Sequence, residues 1–167
     1  MNRAQLSLLY NTMVLPHLQY CLINWGNFKG DRNLGLRDGL LSLQKRLVRI
    51  ICGTHWISHA DPLFAELGKL KVEELYIQAV RIFAFKAARG ILPGGMASMV
   101  GKVSHGYNTR GASSNFFMDR SEGKSLISIA PNIWIFLPME MKSLTSIETF
   151  KEKSKGGLLA PYFYEEM

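Results

Sequence analysis

The chain has 167 residues, 47% of them apolar and 20% charged, with 20 Lys and Arg against 13 Asp and Glu, a net charge of +7 and a sequence pI near 9.5. That composition excludes disorder throughout and leaves room for one ordinary core or two small ones. Two cysteines exclude the disulfide framework of a small secreted domain.

The run from Leu6 to Trp25 is apolar but interrupted by Ser7, Asn11, Thr12, Pro16, His17, Gln19 and Asn24, which is too polar for a membrane span. Pro16, His17 and Gln19 also stand where a signal peptide needs small residues, so an intracellular protein that is not secreted is expected. Ala4 to Trp25 predicts one kinked helix or two short ones, because Pro16 has no amide donor and biases Leu15 away from helical geometry. Leu6, Leu9, Met13 and His17 share one side, and Tyr10, Val14, Cys21 and Trp25 another. A segment apolar on so much of its surface is expected to be buried between neighbours. Residues 26–35, GNFKGDRNLG, read as a turn-rich connector.

LRDGLLSLQKRLVRIIC, residues 36–52, predicts an amphipathic helix. Leu36, Leu40, Leu43, Leu47 and Ile50 repeat at helical spacing on its apolar side, with Ser42, Lys45, Arg46 and Arg49 on the other. Gly53 is placed to end it. Cations in the last two turns have two readings: a solvated face that favours the helix dipole, or a phosphate-binding stripe. Asp61 followed by Pro62 starts a short helix. A second long helix runs from Val72 to Arg89, with Val72, Leu75, Tyr76, Ala79 and Phe83 inward, and Arg81, Lys86 and Arg89 as another basic margin. Gly90 and Pro93 end it.

From Gly94 to Lys124 the chain is rich in Gly, Ser, Asn and Met without a sustained period, and holds the polar heptapeptide HGYNTRG at 105–111. Ser125 to Ile129 alternates weakly, as a short strand or extended arm would. APNIWIFLP follows as an apolar knot between Pro131 and Pro138. A last helix is expected from Thr145 or Ser146, with Glu148 in capping-box spacing to Thr145 and Gly156 and Gly157 as its stop. These elements predict a mainly α protein, an irregular helical bundle with at most one or two short strands. Its expected parts are a basic helical region over 1–93, a connector over 94–124, a small C-terminal helical cap over 125–160 and a tail over 161–167.

The charge is unevenly spread. Through Arg110 there are fourteen Lys and Arg against six Asp and Glu, and beyond it six against seven. No acidic residue falls between Glu74 and Asp119, while Arg81, Lys86, Arg89, Lys102 and Arg110 do. RNA or DNA is the expected partner, with an anionic membrane surface second. Trp25, Trp56, Trp134 and the pair Phe116–Phe117 could stack on bases. Trp56 and Phe116 are expected to be the exposed ones, and Trp134, between Ile133 and Ile135, a core residue.

No phosphate-cradling glycine loop, nucleophile elbow or HExxH helix occurs, so neither an enzyme site nor a cofactor is expected. Cys52, His55 and His59 have the spacing C-x2-H-x3-H, and His17 with Cys21 forms another helical pair. Two cysteines and three histidines are nevertheless a poor closed zinc set, since Cys21 and Cys52 lie in apolar helical patterns. In HGYNTRG, Tyr107 and Asn108 read as local hydrogen-bonding residues that order the connector, and Arg110 as a further phosphate contact.

Several phrases together resemble the region after the catalytic core in reverse transcriptases of non-LTR, LINE-like retrotransposons, particularly the jockey-like group. They are LYNTMVLPHLQYCLINWGN at 9–27, LQKRLVRII at 43–51, HADPLFAELGKLKVEELY at 59–76, HGYNTRG at 105–111, and PNIWIFLP with ETFKEK within 131–153, and they follow the family's order. Ile135 stands where the family usually has Asn, and Ala130 where Gly is common. The resemblance implies a thumb-like helical segment that grips template and primer. It would be a truncated fragment of the RNA-directed DNA polymerase, non-catalytic because the chain has no two adjacent aspartates for two-metal chemistry. It would bind backbone through Lys45, Arg46, Arg49, Arg81, Lys86, Arg89 and Arg110. The alternatives are a reused module that binds an acidic partner protein, or a fragment without function.

Overall fold

The computed structural model describes residues 2–27, 34–97 and 126–164. These residues form a mainly α, irregular helical bundle, with no strand among them. The helices are α1 (Arg3–Leu9), α2 (Leu15–Gln19), α3 (Leu22–Trp25), α4 (Leu34–Cys52), α5 (Asp61–Glu66), α6 (Val72–Ala88), α7 (Gly94–Ala97), α8 (Leu126–Ile135), α9 (Met139–Lys142) and α10 (Ile147–Tyr164). The chain divides into two compact units: Met1–Ile77 with Lys155–Met167, and Gln78–Ser154. Both α6 and α10 contribute residues to each unit.

In the first unit, α1 opens with a capping box. The Asn2 side chain accepts from the Ala4 amide at 3.3 Å, and the Asn2 amide donates to Gln5 Oε1 at 3.0 Å. The expected disturbance at Pro16 takes the form of a π-helical turn over Tyr10–Val14, in which the Leu15 amide reaches back to the Tyr10 carbonyl. The wider turn fits a proline that cannot donate and whose ring crowds the preceding turn. The chain then breaks at Cys21, a non-glycine residue at φ 49°, so Cys21 is an exposed turn residue and not part of an apolar helix face.

Helix α4 corrects the expected inner face. Leu36, Leu43 and Ile50 are 50%, 48% and 61% exposed, while Gln44, Val48 and Ile51 are buried. The buried stripe is displaced from the leucine stripe by one residue, about 100° around the helix. Val48 packs with Ala60, Leu63 and Phe64 in a cluster flanked by Cys52, Ala65, Leu67 and Leu159.

Gln44 is fully buried, and its carboxamide joins three separate segments. Nε2 donates to the Tyr10 hydroxyl at 3.0 Å and to the Leu70 carbonyl at 3.2 Å, while Oε1 accepts from the Val72 amide at 2.8 Å. Val72 heads α6, so its amide has no partner inside the helix and Gln44 supplies one. The preceding amide, of Lys71, donates to Glu74 Oε2 at 2.8 Å. Lys69 completes the cluster: its Nζ donates to Asn11 Oδ1 and lies 5.1 Å from the centroid of the Tyr10 ring. Burial raises the Tyr10 pKa, with the Gln44 bond opposing it, and burial followed by Lys155 lowers that of Lys69.

In the second unit, residues 126–135 are helical, which overturns the expected strand or extended arm at 125–129. Pro131 lies inside α8 yet is fully buried, and Asn132 Nδ2 donates to the Ser128 carbonyl at 2.9 Å within the interrupted turn. Ala130, Trp134 and Leu137 are buried, so Trp134 is the core residue it was expected to be. The Phe85 and Phe150 rings stack with centroids 4.4 Å apart. Helix α10 is capped by Ser146, not Thr145. The Thr149 amide donates to Ser146 Oγ at 3.4 Å, and that hydroxyl donates to Glu148 Oε2 at 2.9 Å.

The expected stop at Gly156 and Gly157 does not occur, and α10 runs on through them and Pro161 to Tyr164. Each glycine costs about 1 kcal/mol in a helix interior. Leu159, packed against the Val48–Phe64 cluster, offsets that cost.

The rotation of α4 makes a paired prediction. Gln44→Leu leaves the Val72 amide and Tyr10 hydroxyl buried without partners and should lower unfolding free energy by about 3 kcal/mol. Leu43→Gln, on the exposed side, should change it by less than about 0.5 kcal/mol. Urea denaturation of both variants measures the difference.

Candidate nucleic-acid interface

Two features bound the C-terminal end of α4. Gly53, at φ 66°, takes the left-handed conformation that closes the helix: its amide donates to the Ile50 carbonyl at 3.2 Å, and the Thr54 amide to the Arg49 carbonyl at 3.0 Å. The following turn is tied back to the helix by Arg49, whose Nε donates to the Ser58 carbonyl at 2.8 Å. Within it the Ser58 amide donates to the His55 carbonyl at 3.0 Å. The turn is thus held by the helix it follows, and it carries Trp56.

Trp56 is 75% exposed and Ile57 66%. Arg46, Arg49, Ile50, Thr54 and Trp56 line an open cleft of about 550 Å³, and no carboxylate is among them. Arg46 and Arg49 are three residues apart and so lie on one side of α4, within reach of the same anion or of neighbouring ones. Lys45, a third member of the expected stripe, is partly buried and does not line the cleft. Ile50 and Thr54 escaped the sequence reading. Ile50 is in the expected apolar stripe, and the outward turn of that stripe is what brings it into the cleft.

The second unit treats its cations differently. Arg81 is partly buried; its Nη1 donates to the Ser154 carbonyl at 3.4 Å and lies 3.5 Å from Ser154 Oγ. Burial lowers its pKa, and its Nε is enclosed without a hydrogen-bond acceptor among the described residues. Arg89 Nη2 donates to the carbonyls of Lys142, at 3.0 Å, and Leu144, and its guanidinium carbon lies 5.6 Å from the centroid of the Phe85 ring. Both arginines commit an Nη group to backbone carbonyls, whereas Arg49 is tied to the Ser58 carbonyl through its Nε. Lys86 makes no hydrogen bond or ion pair among the described residues. Tyr107, Asn108, Arg110 and the pair Phe116–Phe117 lie outside the described residues.

Cys52, His55 and His59 do not converge, and no group of three His, Cys, Asp or Glu side chains among the described residues could hold a metal ion. Burial raises the Cys52 thiol pKa, the opposite of what a thiolate ligand needs. His55 instead leans on Trp56, with ring centroids 5.9 Å apart at 40°, and its Nδ1 accepts a long contact from the Ile57 amide at 3.5 Å.

A second cleft, of about 620 Å³, is lined by Met13, Val14, His17, Leu18, Trp25, Leu36, Leu40 and Leu43. It is where the exposed leucine side of α4 meets the N-terminal helices. No helix among the described residues is long and apolar enough to cross a membrane. Comparison with family models, with curated proteins and with solved structures gives no match.

The two classes of arginine separate by mutation. Arg89→Ala removes the bonds to the carbonyls of Lys142 and Leu144 and should cost about 1 kcal/mol. Arg46→Ala should leave stability within about 0.5 kcal/mol. Thermal unfolding of the two variants is the check.

Proposed function

We propose that this chain is a C-terminal, thumb and post-polymerase fragment of a non-LTR retrotransposon reverse transcriptase, which binds RNA or DNA backbone and catalyses no reaction itself. The observation that carries the binding part is the end of α4, where Arg46 and Arg49 line a cleft with exposed Trp56 and, among the described residues, no carboxylate. The parentage rests on the succession of sequence phrases from residue 9 to residue 153. The missing pair of adjacent aspartates supports a role in holding nucleic acid and not in extending it. The cytoplasm or nucleus is the compartment this role requires.

The exposed leucine side of α4 also supports the fragment reading. Leu36 and Leu43 would be covered where the polymerase palm packs against the thumb. The same observation favours the second reading, a reused interaction module, in which that side meets a partner protein and the arginines meet its acidic residues. Within the binding set, Arg46 and Arg49 are the principal contacts, with Lys45 beside them on the same helix. Arg81 and Arg89 act through the fold.

Salt dependence distinguishes these roles. Affinity for a short nucleic-acid duplex should fall linearly on a log–log plot against salt, and Arg46→Ala should shallow the slope by about 0.9. A flat response, with an acidic polypeptide bound in preference to nucleic acid, would favour the interaction module. Fluorescence anisotropy at several salt concentrations makes the measurement.

A further inference from the structure

The cleft at the end of α4 holds more than a backbone contact requires. Exposing most of a tryptophan forgoes about 4 kcal/mol of burial, from roughly 150 to 250 Å² of apolar surface. Arg49 ties the turn to α4 through Ser58, and Gly53 fixes its direction. Trp56 is therefore presented on a held turn. Beside it are the exposed apolar side chain of Ile50 and the guanidinium groups of Arg46 and Arg49, which is an aromatic and aliphatic platform edged by cations.

Cations alone would serve a duplex, whose base faces are stacked and hidden. An exposed aromatic face gains most from a base that has left its stack, and such stacking is tolerant of sequence. The cleft, at about 550 Å³, lies within the range of small-molecule sites, roughly 300 to 1,000 Å³. Among the described residues no carboxylate lines the cleft to repel the flanking phosphates.

We infer that the Arg46–Arg49–Trp56 cleft binds an unpaired nucleotide of a single strand, the base stacked on Trp56 and against Ile50 and the adjoining phosphates held by Arg46 and Arg49. This inference rests on the nucleic-acid-binding reading of the same helix end and narrows its ligand to single strands. It gives the cleft a preference that the surface charge does not by itself provide.

The test uses the full chain with fluorescently labelled oligo(dT) and a duplex of equal length. Single strand should bind more tightly than duplex, with quenching of tryptophan fluorescence. Trp56→Ala should weaken single-strand binding about tenfold and leave duplex binding unchanged. Trp56→Phe, which keeps an aromatic face, should recover most of the loss. Because Trp56 is exposed, neither substitution threatens the core. Equal weakening for both ligands, or no effect of Trp56→Ala on single-strand binding, would overturn the unpaired-base site while leaving backbone binding intact. Failure of the unaltered chain to bind either ligand, or displacement of oligo(dT) by polyglutamate irrespective of Trp56, would overturn the nucleic-acid reading as well.

Discussion

The buried carboxamide of Gln44 is the constraint on which the first unit depends. An amide sealed from water must satisfy both its donor and acceptor atoms, since each orphaned group costs about 1 to 3 kcal/mol. Gln44 meets that requirement with the Tyr10 hydroxyl, the Leu70 carbonyl and the Val72 amide. Those partners come from the π-turn of the N-terminal helices, the segment after α5 and the first residue of α6. A hydrophobic contact would tolerate rotation of α4 by a fraction of a turn, but three directed bonds do not. The Lys69 ammonium against the Tyr10 ring adds a second polar link at the same place.

That rotation decides what α4 shows to solvent. With Gln44, Val48 and Ile51 inward, Leu36, Leu43 and Ile50 are left outside, and Arg46 and Arg49 open beside them. The apolar and cationic sides of the helix thus adjoin at its C-terminal end, where Gly53 sends the chain into the turn carrying Trp56. Along this one helix the directed bonds are near its middle and the proposed binding residues near its end. In the second unit the division runs by residue, with Arg81 and Arg89 spent on carbonyls.

Local signals in the sequence are legible where local chemistry decides. Asp61–Pro62 begins α5, Gly53 and Gly90 adopt left-handed conformations at helix ends, and the two long helices fall where periodicity put them. Tertiary partners were illegible. Leu41, Val48 and Ile51 make a second apolar stripe beside the leucines, so periodicity could not choose between them, and a glutamine gives no sign of burial. Pro131 and the Gly156–Gly157 pair have the form of breakers, yet packing carries helices through both. Of the candidate site, the exposure of Trp56 was legible from its place beyond a helix stop. The commitment of Arg81 and Arg89 to backbone carbonyls was not, because their acceptors are more than fifty residues away in sequence.

The Gln44 bonds fix the rotation of α4 and, in the proposed function, thereby turn Arg46, Arg49 and Trp56 toward a nucleic-acid strand. An isotope-edited NMR titration of the chain with a short single-stranded oligonucleotide tests it most directly. The account predicts shifts at the Trp56 indole N–H and the Arg46 and Arg49 guanidinium N–H groups, while the Gln44 side-chain amide stays protected from exchange and the Trp134 indole is unmoved. Rapid exchange at the Gln44 amide, or shifts confined to the leucine side of α4 with none at Trp56 or Arg46, would contradict it.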